Sequence, residues 1–386
     1  MEYTRDFLLS QLNRFFRYSD FRDGQAEIVS TILKRQDVLA VLPTGAGKSI
    51  CFQLPALILP GLTIVVSPLI SLMKDQTQGL NKLEEEWALS IDSTMAFNMQ
   101  GRVLQRALSG GIKLLYVSPE RLQNEAFQEF SRQANISLVV VDEAHCVVQW
   151  GRHFRRDYFA IPEYIALLNK RPVIAAFTAT ATREVREEIG LRLDLHRPAV
   201  FVAGFDRPNL CFSVVRSGNK EISILKYLQK HRGERGIIYC TTRPQVLELQ
   251  KVLAANGFSS RRYHGGLTPL ERQKNQNDFL ENRVDIMVAT NAFGMGIDKK
   301  DVRFIIHYSM PLDVEGYYQE AGRAGRDGLP AECVLLYNPL DVRTCENLIL
   351  ASAGGDAERE KELLRKMIAY CHLQNGYREF ILDYFN

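Results

Sequence analysis

Val38-Leu39-Ala40-Val41-Leu42-Pro43-Thr44-Gly45-Ala46-Gly47-Lys48-Ser49 decides how the rest of the chain is read. A strand-sized apolar run, Val38–Leu42, enters a glycine-bearing turn and leaves it in helix-compatible sequence, Ser49–Leu54. Glycines let backbone N–H groups face a phosphate, and the N-terminus of the following helix adds its dipole. In such a loop Thr44, Gly45, Ala46 and Gly47 wrap the phosphates, Lys48 reaches the β- and γ-phosphates, and the Ser49 hydroxyl holds Mg²⁺. The strict pattern asks for glycine where this chain has Leu42. Taken alone the loop also reads as a glycine turn with a solvated lysine.

A second stretch, Val139-Val140-Val141-Asp142-Glu143-Ala144-His145, argues for the phosphate loop. It is an apolar strand ending in two carboxylates. Asp142 is expected to hold Mg²⁺, directly or through water, and Glu143 to orient and deprotonate an attacking water. His145 either couples this site to the rest of the protein or satisfies a local hydrogen bond.

Outward from these two stretches, buried-strand patterns alternate with helical ones. Val38–Leu42, Leu62–Ser67, Leu114–Ser118, Leu138–Val141 and Val173–Phe177 come first. Gly236–Cys240, Ser260–Tyr263, Asp285–Ala289, Phe304–Tyr308 and Cys333–Tyr337 follow after a turn-rich break at Gly204–Asn209. Alternation of this kind predicts an α/β fold with mostly parallel sheets flanked by helices. The expected domains are 1–206, carrying the nucleotide loop, 207–340, and a helical, charged tail over 341–386.

The bulk numbers exclude several classes. A chain of 386 residues is long for one core, and 46% hydrophobic with 24% charged residues is an ordinary globular balance. A net charge of +3 does not by itself mark a nucleic-acid binder. The seven cysteines are scattered without short paired spacings and read as reduced thiols. The start, Met1-Glu2-Tyr3-Thr4-Arg5-Asp6, lacks a secretory pattern, and no apolar run is long enough to span a bilayer.

Farther along, Gln319-Glu320-Ala321-Gly322-Arg323-Ala324-Gly325-Arg326 places arginines three apart, expected on one helical face. Arginine supplied across a cleft neutralises charge in a phosphoryl-transfer transition state. The plainer reading is a solvated basic face.

These strings, with Phe21-Arg22-Asp23-Gly24-Gln25, Ser67–Gln76, Asp142–Cys146, Gln149-Trp150-Gly151, Phe177–Ala181, Ala292–Ile297 and Gly322–Gly328, occur in an order that resembles the RecQ helicases of superfamily 2 over roughly residues 10–345. The resemblance implies two RecA-like domains and an ATP- and Mg²⁺-dependent 3′→5′ DNA helicase of repair or recombination. It implies single-stranded DNA and 3′-overhang duplexes as partners, and a monomer in the bacterial cytoplasm or the eukaryotic nucleus. Tyr18 would stack on adenine, with Arg22 and Gln25 reading its edge; Tyr18 also reads as a plain core aromatic beside Phe15, Phe16 and Phe21. Asp298 would lie near the nucleotide. Arg326 would be the arginine finger, with Arg323 and Gln319 its neighbours. Thr178-Ala179-Thr180 would link hydrolysis to domain movement. Ser67, Lys74 and Gln76 would contact single-stranded DNA. Trp150, Arg152, Phe154, Arg155 and Tyr158 would form an aromatic-rich DNA-sensing loop, in which aromatic faces stack on bases and arginines take phosphates. Relatives commonly carry Gly-His-Asp-Phe-Arg where this chain has Gly151-Arg152-His153-Phe154-Arg155.

The tail resembles the first helices of the family's zinc-binding subdomain. The first ligand cysteine would fall near Gly376 or Tyr377, and Cys371 is out of register. One thiol does not build a tetrahedral zinc site, so no zinc is expected. Without that subdomain and a winged helix, the alternative function is a nucleotide-gated DNA-binding ATPase module with weak or no unwinding.

Overall fold

A computed structural model describes residues 3–43, 45–68, 70–81, 86–92, 95–148, 156–294, 299–351 and 357–385. The chain divides into two compact units between Gly204 and Phe205.

The first unit runs α1 (Arg5–Phe16), α2 (Gln25–Leu33), β1 (Val38–Val41), α3 (Lys48–Ile58), β2 (Leu62–Val66), α4 (Ile70–Asn81), β3 (Ala88–Ile91) and α5 (Phe97–Leu108). It continues with β4 (Leu114–Val117), α6 (Glu125–Gln133), β5 (Ile136–Val141), α7 (Ala160–Ala166), β6 (Val173–Thr178), α8 (Arg183–Arg192) and β7 (Ala199–Val202). The strands form one parallel sheet in the order β3-β4-β2-β5-β6-β1-β7. Every residue of β1, β2, β5 and β6 is buried. That explains why they read as unbroken apolar runs: helices cover both faces. Asp37, just before β1, ties three strand entrances together. Its two oxygens accept from Arg171 at 3.2 and 2.7 Å, and from the N–H groups of Ile174 and His196 at 2.9 and 2.8 Å.

The second unit runs β8 (Leu210–Arg216), α9 (Lys220–Lys230), β9 (Gly236–Tyr239), α10 (Arg243–Ala255), β10 (Ser260–Tyr263), α11 (Pro269–Leu280), β11 (Ile286–Ala289), β12 (Phe304–His307), α12 (Val314–Ala321) and β13 (Ala331–Tyr337). The helices α13 (Leu340–Ala351), α14 (Ala357–His372) and α15 (Tyr377–Phe385) complete it. Its parallel sheet has the order β10-β11-β9-β12-β13-β8. The last helices pack into this unit: Tyr370 donates its hydroxyl to that of Tyr317 at 3.2 Å, and the Phe385 ring stacks on Phe205 at 4.6 Å between centroids.

Three strands were not expected from sequence: β3, β7 and β8. All three are sheet edges. Their residues are only partly covered, so the apolar signal is diluted. Among the described residues no helix is long and apolar enough to cross a membrane.

Candidate nucleotide and nucleic-acid site

Register sets the site. Val41 pairs with Thr178, Val141 with Ala176, and Val66 with Val141. The carboxyl ends of β1, β6, β5 and β2 therefore lie side by side, where parallel α/β sheets hold ligands. The loop after β1, the acidic pair after β5, and Thr178 and Thr180 at the end of β6 converge there although more than a hundred residues separate the first from the last.

The loop is held from below. Gln25, almost fully buried, donates Nε2 to the carbonyls of Ala46 (3.2 Å) and Gly47 (3.1 Å), and its Oε1 accepts the Arg22 N–H at 2.9 Å. Arg22 donates Nη1 to the Gly45 carbonyl. A Cβ on Gly47 would sit 2.5 Å from Gln25 Nε2, and Gly47 has φ +81°, so glycine is required there twice over. Arg22 and Gln25, expected at an adenine edge, here brace the loop backbone. Tyr18 is 55% exposed, which departs from a core aromatic. Lys48 opens α3 and donates Nζ to the Leu42 carbonyl at 3.3 Å; Ser49 follows it, half-buried, on the first turn. Thr44 lies outside the described residues.

Asp142 is buried. Its Oδ1 accepts the Glu143 N–H at 3.0 Å and its Oδ2 the Ser67 hydroxyl at 3.4 Å. Burial first, and the Glu143 carboxylate second, push the Asp142 carboxyl up to about 7, against the pull of Lys48. Glu143 occupies the left-handed region with φ +50°, unusual for a non-glycine residue and a mark of stored strain. Its Oε2 lies 3.4 Å from His145 Nδ1, and that nitrogen lies 2.9 Å from Thr178 Oγ1. Thr178 donates its one hydroxyl proton to the Thr180 carbonyl at 3.1 Å. The Thr178 oxygen is then the acceptor, so His145 carries its proton on Nδ1. His145 Nδ1 thus bonds Thr178 with that one proton and stands 3.4 Å from the Glu143 carboxylate, between Glu143 and the Thr178–Thr180 string.

Two expected DNA contacts are corrected. Tyr158 is fully buried and donates its hydroxyl to the Asp142 carbonyl at 2.9 Å, so its ring offers no stacking face. Ser67 is also buried, its hydroxyl committed to Asp142. Lys74 is half-exposed and paired with Asp92 at 3.2 Å; Gln76 is partly buried on the same helix, α4. Trp150, Arg152, Phe154, Arg155 and Asp298 lie outside the described residues.

In the second unit Gln319 sits on the last turn of α12. Arg323 and Arg326 do not continue that helix, which ends at Ala321; they stand on the turns that follow. The glycines at 322 and 325 break the helical period, and spacing alone did not reveal it. Arg323 donates Nη1 to the Gly294 carbonyl. Sequence reasoning missed Arg207 and Asn209, whose side chains hold this turn; Asp206-Arg207-Pro208-Asn209 reads only as a break between domains.

Residues 22–188 match the DEAD/DEAH box helicase family and 219–328 the helicase conserved C-terminal domain. The chain is 43% identical over 378 residues to the ATP-dependent DNA helicase RecQ of Bacillus subtilis, covering 97% of this chain and 64% of that protein. It is 42% identical over 340 residues to the RecQ of Synechocystis, covering 86% of this chain and 71% of that one. The crystal structure of the DUF1998 helicase MrfA bound to DNA superposes with a TM-score of 0.71 at 19% identity, over 96% of this chain and 57% of that one, a likeness of fold. The chain spans 60–64% of the length of the RecQ proteins of Bacillus subtilis, Pasteurella multocida and Haemophilus influenzae.

Proposed function

The chain belongs to the RecQ helicase family, and from that premise we propose that it is an ATP-dependent DNA helicase that moves 3′→5′ on single-stranded DNA and opens duplexes with a 3′ overhang. The observation that carries the reading is the convergence of the Gly45–Ser49 loop, Asp142–Glu143 and the His145–Thr178 bond at the carboxyl ends of β1, β5 and β6.

Lys48 and the loop amides bind the phosphates, and exposed Tyr18 offers a flat face to the base. Glu143 takes a proton from the attacking water. His145 passes the state of Glu143 to Thr178. Arg326, with Arg323 and Gln319 beside it, offsets charge on the transferring phosphoryl group, and Asp298 completes the nucleotide side. The donors for Mg²⁺ are oxygens, the Ser49 hydroxyl and the Asp142 carboxylate, as a hard cation takes; a carboxylate whose ionised form is disfavoured by burial gains from a cation beside it. When bound, Mg²⁺ neutralises phosphate charge. Lys74, Gln76, Trp150, Arg152, Phe154 and Arg155 are proposed to contact the DNA strand. The protein works as a monomer, in bacterial cytoplasm or a nucleus, in repair or recombination. Residues 1–206 and 207–340 serve as its two motor domains, and 341–386 as a helical tail without zinc.

The test is ATP hydrolysis with and without single-stranded DNA, beside Glu143→Gln and Arg326→Ala. Strong DNA stimulation, lost by about 100-fold or more in each variant, is expected. Hydrolysis indifferent to DNA, or surviving Glu143→Gln, overturns the reading.

A further inference from the structure

The Gly322–Gly328 turn hangs on two residues from the start of its unit. Its amides close short turn bonds, Arg323 N–H to Glu320 and Ala324 N–H to Ala321, at 3.2 and 3.0 Å. Several of its carbonyls are taken by Arg207 and Asn209. Arg207 donates Nη1 to the Gly322 carbonyl at 3.4 Å, and Nη2 to those of Ala324 at 3.1 Å and Gly325 at 3.0 Å. Asn209 donates Nδ2 to Gly325 at 2.8 Å and to Leu329 at 2.9 Å, while Arg207 Nε reaches Asn209 Oδ1 at 3.4 Å. The approach is close: Gly325 has φ +54°, and a Cβ there would lie 2.4 Å from Asn209 Nδ2 and 2.8 Å from the Leu329 carbonyl. A planar guanidinium with five donors suits three carbonyls fanned around it, which an ammonium on a flexible stem does not match.

The carbonyls gripped belong to residues 322, 324 and 325, the ones flanking Arg323 and preceding Arg326. Holding those peptide planes sets the directions in which both arginine side chains leave the backbone. Arg207 and Asn209 lie within five residues of the boundary between the two units. The same segment is held from its other side by α15: Arg378 donates Nη1 to Asp206 Oδ1 at 2.6 Å and to the Arg207 carbonyl at 2.8 Å.

We propose that Arg207, with Asn209, is a positioning residue that presets the Arg323–Arg326 turn for phosphoryl transfer. The segment between the two units is thereby joined to the arginines. This inference rests on the proposed reading that Arg326 acts in ATP hydrolysis. Misplacing a catalytic group by about 1 Å costs on the order of 100-fold in rate. A lost positioning residue therefore shows in kcat while the affinities stay as they were.

The test is a double-mutant cycle in the full chain, read as DNA-stimulated single-turnover hydrolysis, KM for ATP and affinity for single-stranded DNA. Arg207→Gln is expected to lower kcat by roughly 10- to 100-fold, leaving KM and DNA affinity unchanged within about 2-fold; Arg207→Lys is expected not to rescue it. On an Arg326→Ala background the same change is expected to cost less than about 2-fold, because the group it positions is gone. Equal losses on both backgrounds, or an unchanged kcat, overturn the proposal. If Arg207→Gln does not fold, Asn209→Ala carries the same cycle with the same criteria. Should Arg326→Ala hydrolyse ATP like the parent, the role of the arginines falls and this inference falls with it. Should Arg326→Ala be inactive while Arg207→Gln and Asn209→Ala are not, only the positioning role is lost.

Discussion

Glu315→Gln is expected to flatten the pH dependence of stability in the second unit. Glu315 stands in the first turn of α12, 6% exposed, two residues beyond the capping Asp313. Tyr384 of α15 donates its hydroxyl to Glu315 Oε1 at 3.2 Å. Burial first, and the Asp313 carboxylate second, push the Glu315 carboxyl up to about 7; the Tyr384 hydroxyl, Arg359 and Lys366 pull the other way. The folded pKa lies above the ordinary value of 4.5, so the protonated group's contribution is complete below that pH and is lost as pH rises through about 7. At about 1.4 kcal/mol for each tenfold change in proton affinity, the loss reaches about 3 kcal/mol as a ceiling, because the Glu315 carboxyl does not titrate independently of the charges around it. For a unit of this size that is up to about 10 °C in Tm. Urea and thermal melts from pH 5 to 8.5 should show the parent weakening with pH and Glu315→Gln nearly level. Hydrogen exchange over residues 313–321 would assign the difference to α12. Parallel pH profiles for the two proteins would refute the reasoning.

Three further outcomes are expected. Asp37→Ala removes the carboxylate paired with Arg171 and leaves the N–H groups of Ile174 and His196 without their acceptor; it should cost about 3–5 kcal/mol, read as a lower urea midpoint of the first unit, and a loss below about 1 kcal/mol contradicts the role given to Asp37. Phe385→Ala removes a fully buried ring stacked on Phe205 and beside Tyr318, at 4.6 and 5.3 Å. It should destabilise the second unit by about 3–5 kcal/mol while leaving the first unit's transition in place. His145→Ala should reduce the ratio of DNA-stimulated to basal hydrolysis by roughly 5- to 150-fold, the usual range of coupling between sites. An unchanged ratio would show that the bond to Thr178 is only local.

Much of this protein was legible from its sequence, for a physical reason. Strands buried on both faces of a parallel sheet must be apolar throughout, so β1, β2, β5 and β6 announced themselves. Glycine at set points with a lysine after them is the pattern of the proposed phosphate loop, so Gly45–Ser49 could be singled out too. Edge strands β3, β7 and β8 are partly uncovered and carry no such run. The aromatic-rich string suggested a stacking surface, yet Tyr158 spends its ring on the core and its hydroxyl on the Asp142 backbone. Residue type at a spacing does not say which side of the backbone meets solvent. The arginines at 323 and 326 were legible as a pair but not as a turn, because the helix stops at a glycine whose effect depends on what packs beneath it. Roles that rest on contacts between distant parts of the chain could come only from tertiary structure. Asp37 meets Arg171, Ile174 and His196; His145 meets Thr178; Arg207 and Asn209 meet the carbonyls of 322–329. Each is a side chain satisfying a backbone group, a charge or a hydroxyl more than thirty residues away. Local periodicity holds no record of such a partner, and only sheet register and loop packing bring the two together.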